Sequence, residues 1–173
     1  MPKTKTFSFA FSFPFPILSL IAFVIPFSLG HSQITTGIFV NTLLYLSSIL
    51  LPLKKSWFIA FLPAVAILAR GFVFGPLTSF LVYFLPFIWL GNLVILLAPK
   101  ILFLRNKQYI TIIISATIKF IFLFAIANLF YSANLVPKLF LTSMGIYQLI
   151  TALTGGTIAY FILKGVNNKQ LQP

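Results

Sequence analysis

The sequence predicts an all-α, polytopic membrane protein: a bundle of six transmembrane helices with both termini cytoplasmic. Three observations carry that expectation. Sixty per cent of the 173 residues are hydrophobic and only 7% are charged, where about a quarter of a soluble domain carries charge. The chain has no aspartate or glutamate, and its twelve lysines and arginines sit almost wholly in gaps between apolar runs. Those runs number about six, each near the ~20 residues that a helix needs to cross ~30 Å of hydrocarbon.

Taken in order, the expected spans are 7–29, 34–53, 56–74, 77–98, 108–131 and 137–163, one transmembrane domain covering 1–173 with short loops and no extramembrane part. The first is interrupted by Pro14, Pro16 and Pro26, so its helix starts at either Phe7 or Pro14. Its basic start, with Ser28 and Gly30 beyond, also suits a cleaved secretory signal, although the apolar stretch is long for one. Span two carries a polar stripe of Asn41, Tyr45, Ser48 and Pro52, with Gly37 a turn above Asn41. Span three contains Pro63 and closes on Arg70 before the turn from Gly71 to Pro76, and Trp57 beside Lys54 and Lys55 reads as an interface anchor. Span four holds Pro86 and Asn92. Span five repeats Thr111, Ser115 and Lys119 at i, i+4 and i+8, one helix face that should look inward. Span six offers Gln148, Thr151 and Gly155, with Ala152, Gly155, Gly156 and Ala159 suited to close helix packing.

Charge tests the count of six, because Lys and Arg near span ends stay on the cytoplasmic side. One face gathers Lys3, Lys5, Lys54, Lys55, Lys100, Arg105, Lys107, Lys164 and Lys169, nine cations, against Arg70 and Lys138 on the other. Splitting or merging two spans would scramble that bias. The expected location is therefore the plasma membrane of a prokaryotic cell, crossed several times.

Zero cysteine and a single histidine, His31, with no carboxylates leave no set of metal ligands and no thiol chemistry, so neither a metal nor another cofactor is expected. The missing carboxylates also remove the usual proton relays and sodium sites of secondary transporters. No phosphate-binding loop is present, so uphill transport would need an external energy source.

Lys119, the twelfth cation, lies twelfth in its 24-residue span, roughly 17 Å from either end at ~1.5 Å per residue. Its stem cannot reach an interface. An ammonium at mid-membrane costs at least ~2.5 kcal/mol, so it should face the bundle interior, a water-filled cavity or an anion. Three explanations stand: an anionic or carbonyl-bearing ligand, a partner protein's carboxylate, or a deprotonated lysine satisfied by hydroxyls and carbonyls. Ser115, one turn before Lys119, raises a remote reading as an intramembrane Ser-Lys enzyme. Each polar stripe alone is ordinary helix–helix hydrogen bonding; three stripes and an orphan cation together point to a polar cavity.

The layout resembles the substrate-binding S components of energy-coupling factor transporters, compact six-helix proteins with cytoplasmic termini. Local echoes are Asn41-Thr42-Leu43-Leu44-Tyr45-Leu46-Ser47-Ser48, Pro63-Ala64-Val65-Ala66 leading to Arg70-Gly71, and Pro86-Phe87-Ile88-Trp89-Leu90-Gly91-Asn92. One departure is plain: where many members carry alanines spaced four apart on helix one, the nearest match here is Ser8 and Ser12. The resemblance implies a non-enzymatic subunit that captures a small vitamin-like micronutrient from outside. Its implied partners are the lipid bilayer, a transmembrane energising subunit and a pair of ATPase subunits, with no nucleic acid. Site candidates are Lys119, Arg70, Asn41, Gln148, Asn92, Tyr45 and His31, in a pocket open to the outside. Cations and amides without carboxylates suit a neutral or anionic solute. The competing reading is a non-transport scaffold or assembly subunit, whose partner would supply the carboxylate for Lys119.

Overall fold

The computed structural model describes residues 14–29, 32–74, 80–102 and 108–169. Ser8, Ser12 and His31 lie outside them. Within the described residues the fold is all-helical: α1 (Pro14–Leu29), α2 (Gln33–Leu50), α3 (Leu53–Phe74), α4 (Leu81–Ile101), α5 (Gln108–Ser132), α6 (Leu139–Met144) and α7 (Ile146–Lys169).

Four segments are long and apolar enough to cross a membrane: Gln33–Leu50, Leu81–Ile101, Gln108–Ser132 and Leu139–Val166. Helix α1 is apolar, but its 16 residues reach only ~24 Å at ~1.5 Å each. The 22 residues of α3 are long enough, yet carry Lys54, Lys55 and Arg70 near their two ends. The sixth expected span is two helices. Apolar composition runs unbroken from Leu139, but Gly145 takes φ −97° and ψ −115° and ends α6. A Cβ there would collide with the Leu141 carbonyl oxygen and press on the Phe124 ring, so the break needs glycine.

Helix α2 is the inner element. It packs on α7, α4, α1 and α3, while α1, α3, α4, α5 and α7 contact one another in succession around it. From Val40 to Ser48 every α2 residue is buried, which accounts for a helix without a solvent or lipid face over two turns. Close approach to α7 depends on Gly155, where a Cβ would stand 2.8 Å from the Ile38 carbonyl oxygen and 2.9 Å from the Asn41 Cβ. The small residues of span six thus work as the sequence suggests.

Helix ends are closed by side chains that offset the four unpaired carbonyls every helix leaves at its C-terminus. Arg70 on α3 donates to the Phe27 and Ser28 carbonyl oxygens at 3.1 and 3.2 Å, and Thr36 Oγ1 donates to the Leu29 carbonyl at 2.9 Å, which together close α1. Ser56 Oγ donates to the Ser47 carbonyl at 2.9 Å, and Lys100 Nζ to the Leu51 carbonyl at 3.2 Å, at the α2 to α3 turn. Helix α5 ends in a Schellman motif: Asn134 sits in the left-handed region at φ 56°, with Leu135 N–H donating to Phe130 and Asn134 N–H to Tyr131. These contacts identify two ends of the bundle. Lys54, Lys55 and Lys100 lie at one, and Arg70 with the starts of α2 and α6 at the other.

Candidate functional site

A cavity of about 380 Å³ enters the bundle at the Arg70 end. Its rim is set by the first residues of three helices, Gln33 of α2, Leu81 of α4 and Leu139 of α6, and its floor by Asn41, Asn92 and Lys119 in mid-helix. Apolar side chains make most of the wall, including Val40, Ile67, Ile88, Phe140 and Met144.

The floor is built from three helices that each contribute one polar side chain. The α5 face of Thr111, Ser115 and Lys119 is buried along its length, as the spacing predicts. Lys119 is only 2% exposed, and its Nζ donates to Asn41 Oδ1 and to Asn92 Oδ1, both at 2.9 Å. The amide nitrogens of the two asparagines are also committed. Asn41 Nδ2 donates to the Gly37 carbonyl at 2.8 Å and to Thr151 Oγ1 at 3.2 Å, and Thr151 passes its own hydrogen to the Tyr147 carbonyl at 2.7 Å. Asn92 Nδ2 donates to the Ala60 carbonyl at 3.0 Å. That acceptor lies in the turn before Pro63, next to the Ile59 carbonyl that the proline leaves without its helical donor, and Trp89 Nε1 donates to the adjacent Phe61 carbonyl at 3.3 Å. Each asparagine is therefore fixed in orientation by backbone on one side and turns its oxygen to Lys119 on the other. Among the described residues Lys119 has no third acceptor, and no anionic side chain exists anywhere in the chain to neutralise it.

At the rim, Ser143 near the end of α6 has a carbonyl oxygen that receives Gln33 Nε2 at 2.8 Å and Gln148 Nε2 at 3.3 Å. The helix break at Gly145 frees that carbonyl from the α-helical ladder, and two glutamines from α2 and α7 take it up.

Of the residues singled out from sequence, Asn41, Asn92, Lys119 and Gln148 line the cavity together. Arg70 does not: its guanidinium reaches the end of α1 instead. Tyr45 also stands apart, with its hydroxyl 2.7 Å from Ser115 Oγ and 3.3 Å from the Ile112 carbonyl it donates to, nearer the Lys100 end than the floor. The Ser115 to Lys119 pairing weighed for an enzyme is not among the hydrogen bonds; Ser115 Oγ donates to the Thr111 carbonyl at 2.7 Å. His31 lies outside the described residues. Sequence reasoning passed over Gln33, Thr36 and Ser143. Gln33 was within reach, since Gln33, Gly37 and Asn41 continue the i, i+4 stripe by one turn. Among the described residues no three metal-ligating side chains gather.

Comparison with family models, with curated proteins and with solved structures finds no match to this chain.

Proposed function

We propose that the chain is a six-crossing plasma-membrane protein of a prokaryotic cell that binds a small solute, the substrate-capturing subunit of an energy-coupling-factor-type importer. In this arrangement both termini and the Lys54, Lys55 and Lys100 end face the cytoplasm, and the cavity opens outward at the cation-poor end. Helices α1 and α3 complete the six crossings, α3 with its cations at the two interfaces and α1 with its C-terminal carbonyls held by Arg70 and Thr36. The solute is a neutral or anionic micronutrient.

One observation carries the reading: a lysine held by two amide oxygens at the floor of a 380 Å³ cavity. That volume falls in the ~300–1,000 Å³ range of small-molecule sites, which are mostly apolar with a few fixed polar groups. A scaffold reading loses its main support, because a carboxylate on a partner docked outside the bundle does not reach a side chain 2% exposed and already engaged by its own amides. The chain's lack of carboxylates and of a phosphate loop fits a binding subunit powered by others.

Purification in mild detergent tests this. Native mass spectrometry should find a small molecule retained by the intact protein. From its own host the chain should bring down a membrane subunit and two ATPases. Recovery with an unrelated complex and an empty cavity would overturn it.

A further inference from the structure

We infer that the cavity is built for an amphiphilic monocarboxylate, held with its carboxylate against Lys119 and its apolar body along the α3, α4 and α6 wall. This rests on the solute-binding reading and narrows the ligand class within it.

The hydrogen-bond census at the floor leads there. Both asparagine oxygens are turned to Lys119, and both asparagine amide nitrogens are turned to the Gly37 and Ala60 carbonyls and to Thr151. Thr151 donates in turn to the Tyr147 carbonyl. The one charged group at depth is Lys119, whose nitrogen lies at the cavity floor. Carried as an ammonium, that group keeps one hydrogen for a ligand, beside the second lone pairs of the Asn41 and Asn92 amide oxygens. A polyamine would set further cations against Lys119 with no Asp or Glu in the chain to neutralise either.

Charge gives the valence. Lys119 is the one cation among the described lining residues, Arg70 being committed at the end of α1, and the chain contains no carboxylate. A single negative charge restores neutrality at the floor; a dianion such as a phosphate monoester leaves one charge uncompensated in an apolar site. Size and wall give the rest. Val40, Ile67, Ile88, Phe140 and Met144 match a hydrocarbon or aromatic body. At ~30 Å³ for each water-sized unit, the cavity admits roughly a dozen non-hydrogen atoms.

The test uses the whole protein in phosphatidylcholine nanodiscs at neutral pH, with 3-phenylpropanoate as probe and its amide, its amine (3-phenylpropylamine) and phenyl phosphate as comparators in equilibrium dialysis. The expected result is saturable binding of the carboxylate, with all three comparators at least tenfold weaker. Lys119→Met should erase the preference of acid over amide. Equal binding of acid and amide within twofold, a preference for the amine, or an acid preference that survives Lys119→Met overturns the assignment. Should the methionine variant fail to fold, the acid-to-amide ratio of the unaltered protein decides alone. No binding of the carboxylate also overturns it. In that case, if Ile67→Trp, which fills the cavity, removes a copurified solute, the binding reading survives while the monocarboxylate class falls; if no solute is found at all, both fall.

Discussion

The two ends of this bundle are built from the same helices to opposite effect. Toward the Lys100 end, Leu44, Tyr45, Ile95, Leu96, Ile112, Ala116 and Ala159 pack into a continuous core, and α7 comes so close that no Cβ fits at Gly156 beside Tyr45 and Ile112. Toward the Arg70 end, a cavity opens beside the same α2 and α7, which stay in contact at Gly37 and Thr151, and the space is walled by α6, a six-residue helix. Its Phe140 stacks on Phe84 at 5.2 Å, beside Phe130 and Phe87. One end is filled by core side chains with α7 glycines admitting α2, and the other leaves a cavity among large ones, with the amides and Lys119 at the boundary. The packed half keeps the helices in register so that three polar side chains from different helices meet, and the open half leaves room beside them.

Four substitutions break or sharpen that contrast. Gly155→Val attacks the α2 to α7 contact behind Asn41, where the added carbons meet α2 backbone that cannot yield. It should cost about 3 kcal/mol, read as a loss of monodisperse protein and of the cooperative thermal transition. Lys119→Met strikes the boundary. From sequence alone its removal should not cost stability, since the cation looked unpaired. Two asparagine oxygens lose their donor, so at ~0.6 kcal/mol for each helix–helix hydrogen bond the variant should unfold about 1 kcal/mol more easily, alongside at least a tenfold loss of solute affinity. Gln33→Ala loosens the open half only. It removes one of two bonds to the Ser143 carbonyl, and ~0.6 kcal/mol should appear as faster amide exchange in Leu139–Met144 with the rest of the bundle unchanged. Arg70→Ala is smallest for binding, within twofold of the unaltered protein by dialysis. Its ~0.5 kcal/mol effect, as for a cation at a helix C-terminus, belongs to the end of α1.

Much of the floor was legible because helical periodicity is rigid. Thr111, Ser115 and Lys119 must share a face, and a buried lysine must look for oxygen, but spacing within one helix does not single out Asn41 and Asn92 on two others as its acceptors. Arg70 stood among the candidates because a cation at a helix end has many acceptors in reach. Sequence does not say that the nearest are the last carbonyls of α1. The break at Gly145 was invisible because hydropathy averages over a window, and Leu139–Val166 is apolar throughout. Gln33 and Ser143 were hidden for a related reason: polar residues near span ends read as punctuation, and only the fold brings them together across 110 positions.

The rim and the floor share a support in α2. On α2, Gln33 and Asn41 are eight residues apart, a vertical distance of ~12 Å at ~1.5 Å per residue. Because α2 runs as a single uninterrupted helix between them, that separation cannot adjust to the occupant. The protein therefore carries a fixed spacing: Gln33 at the rim and Asn41 at the floor are held ~12 Å apart along one stiff rod.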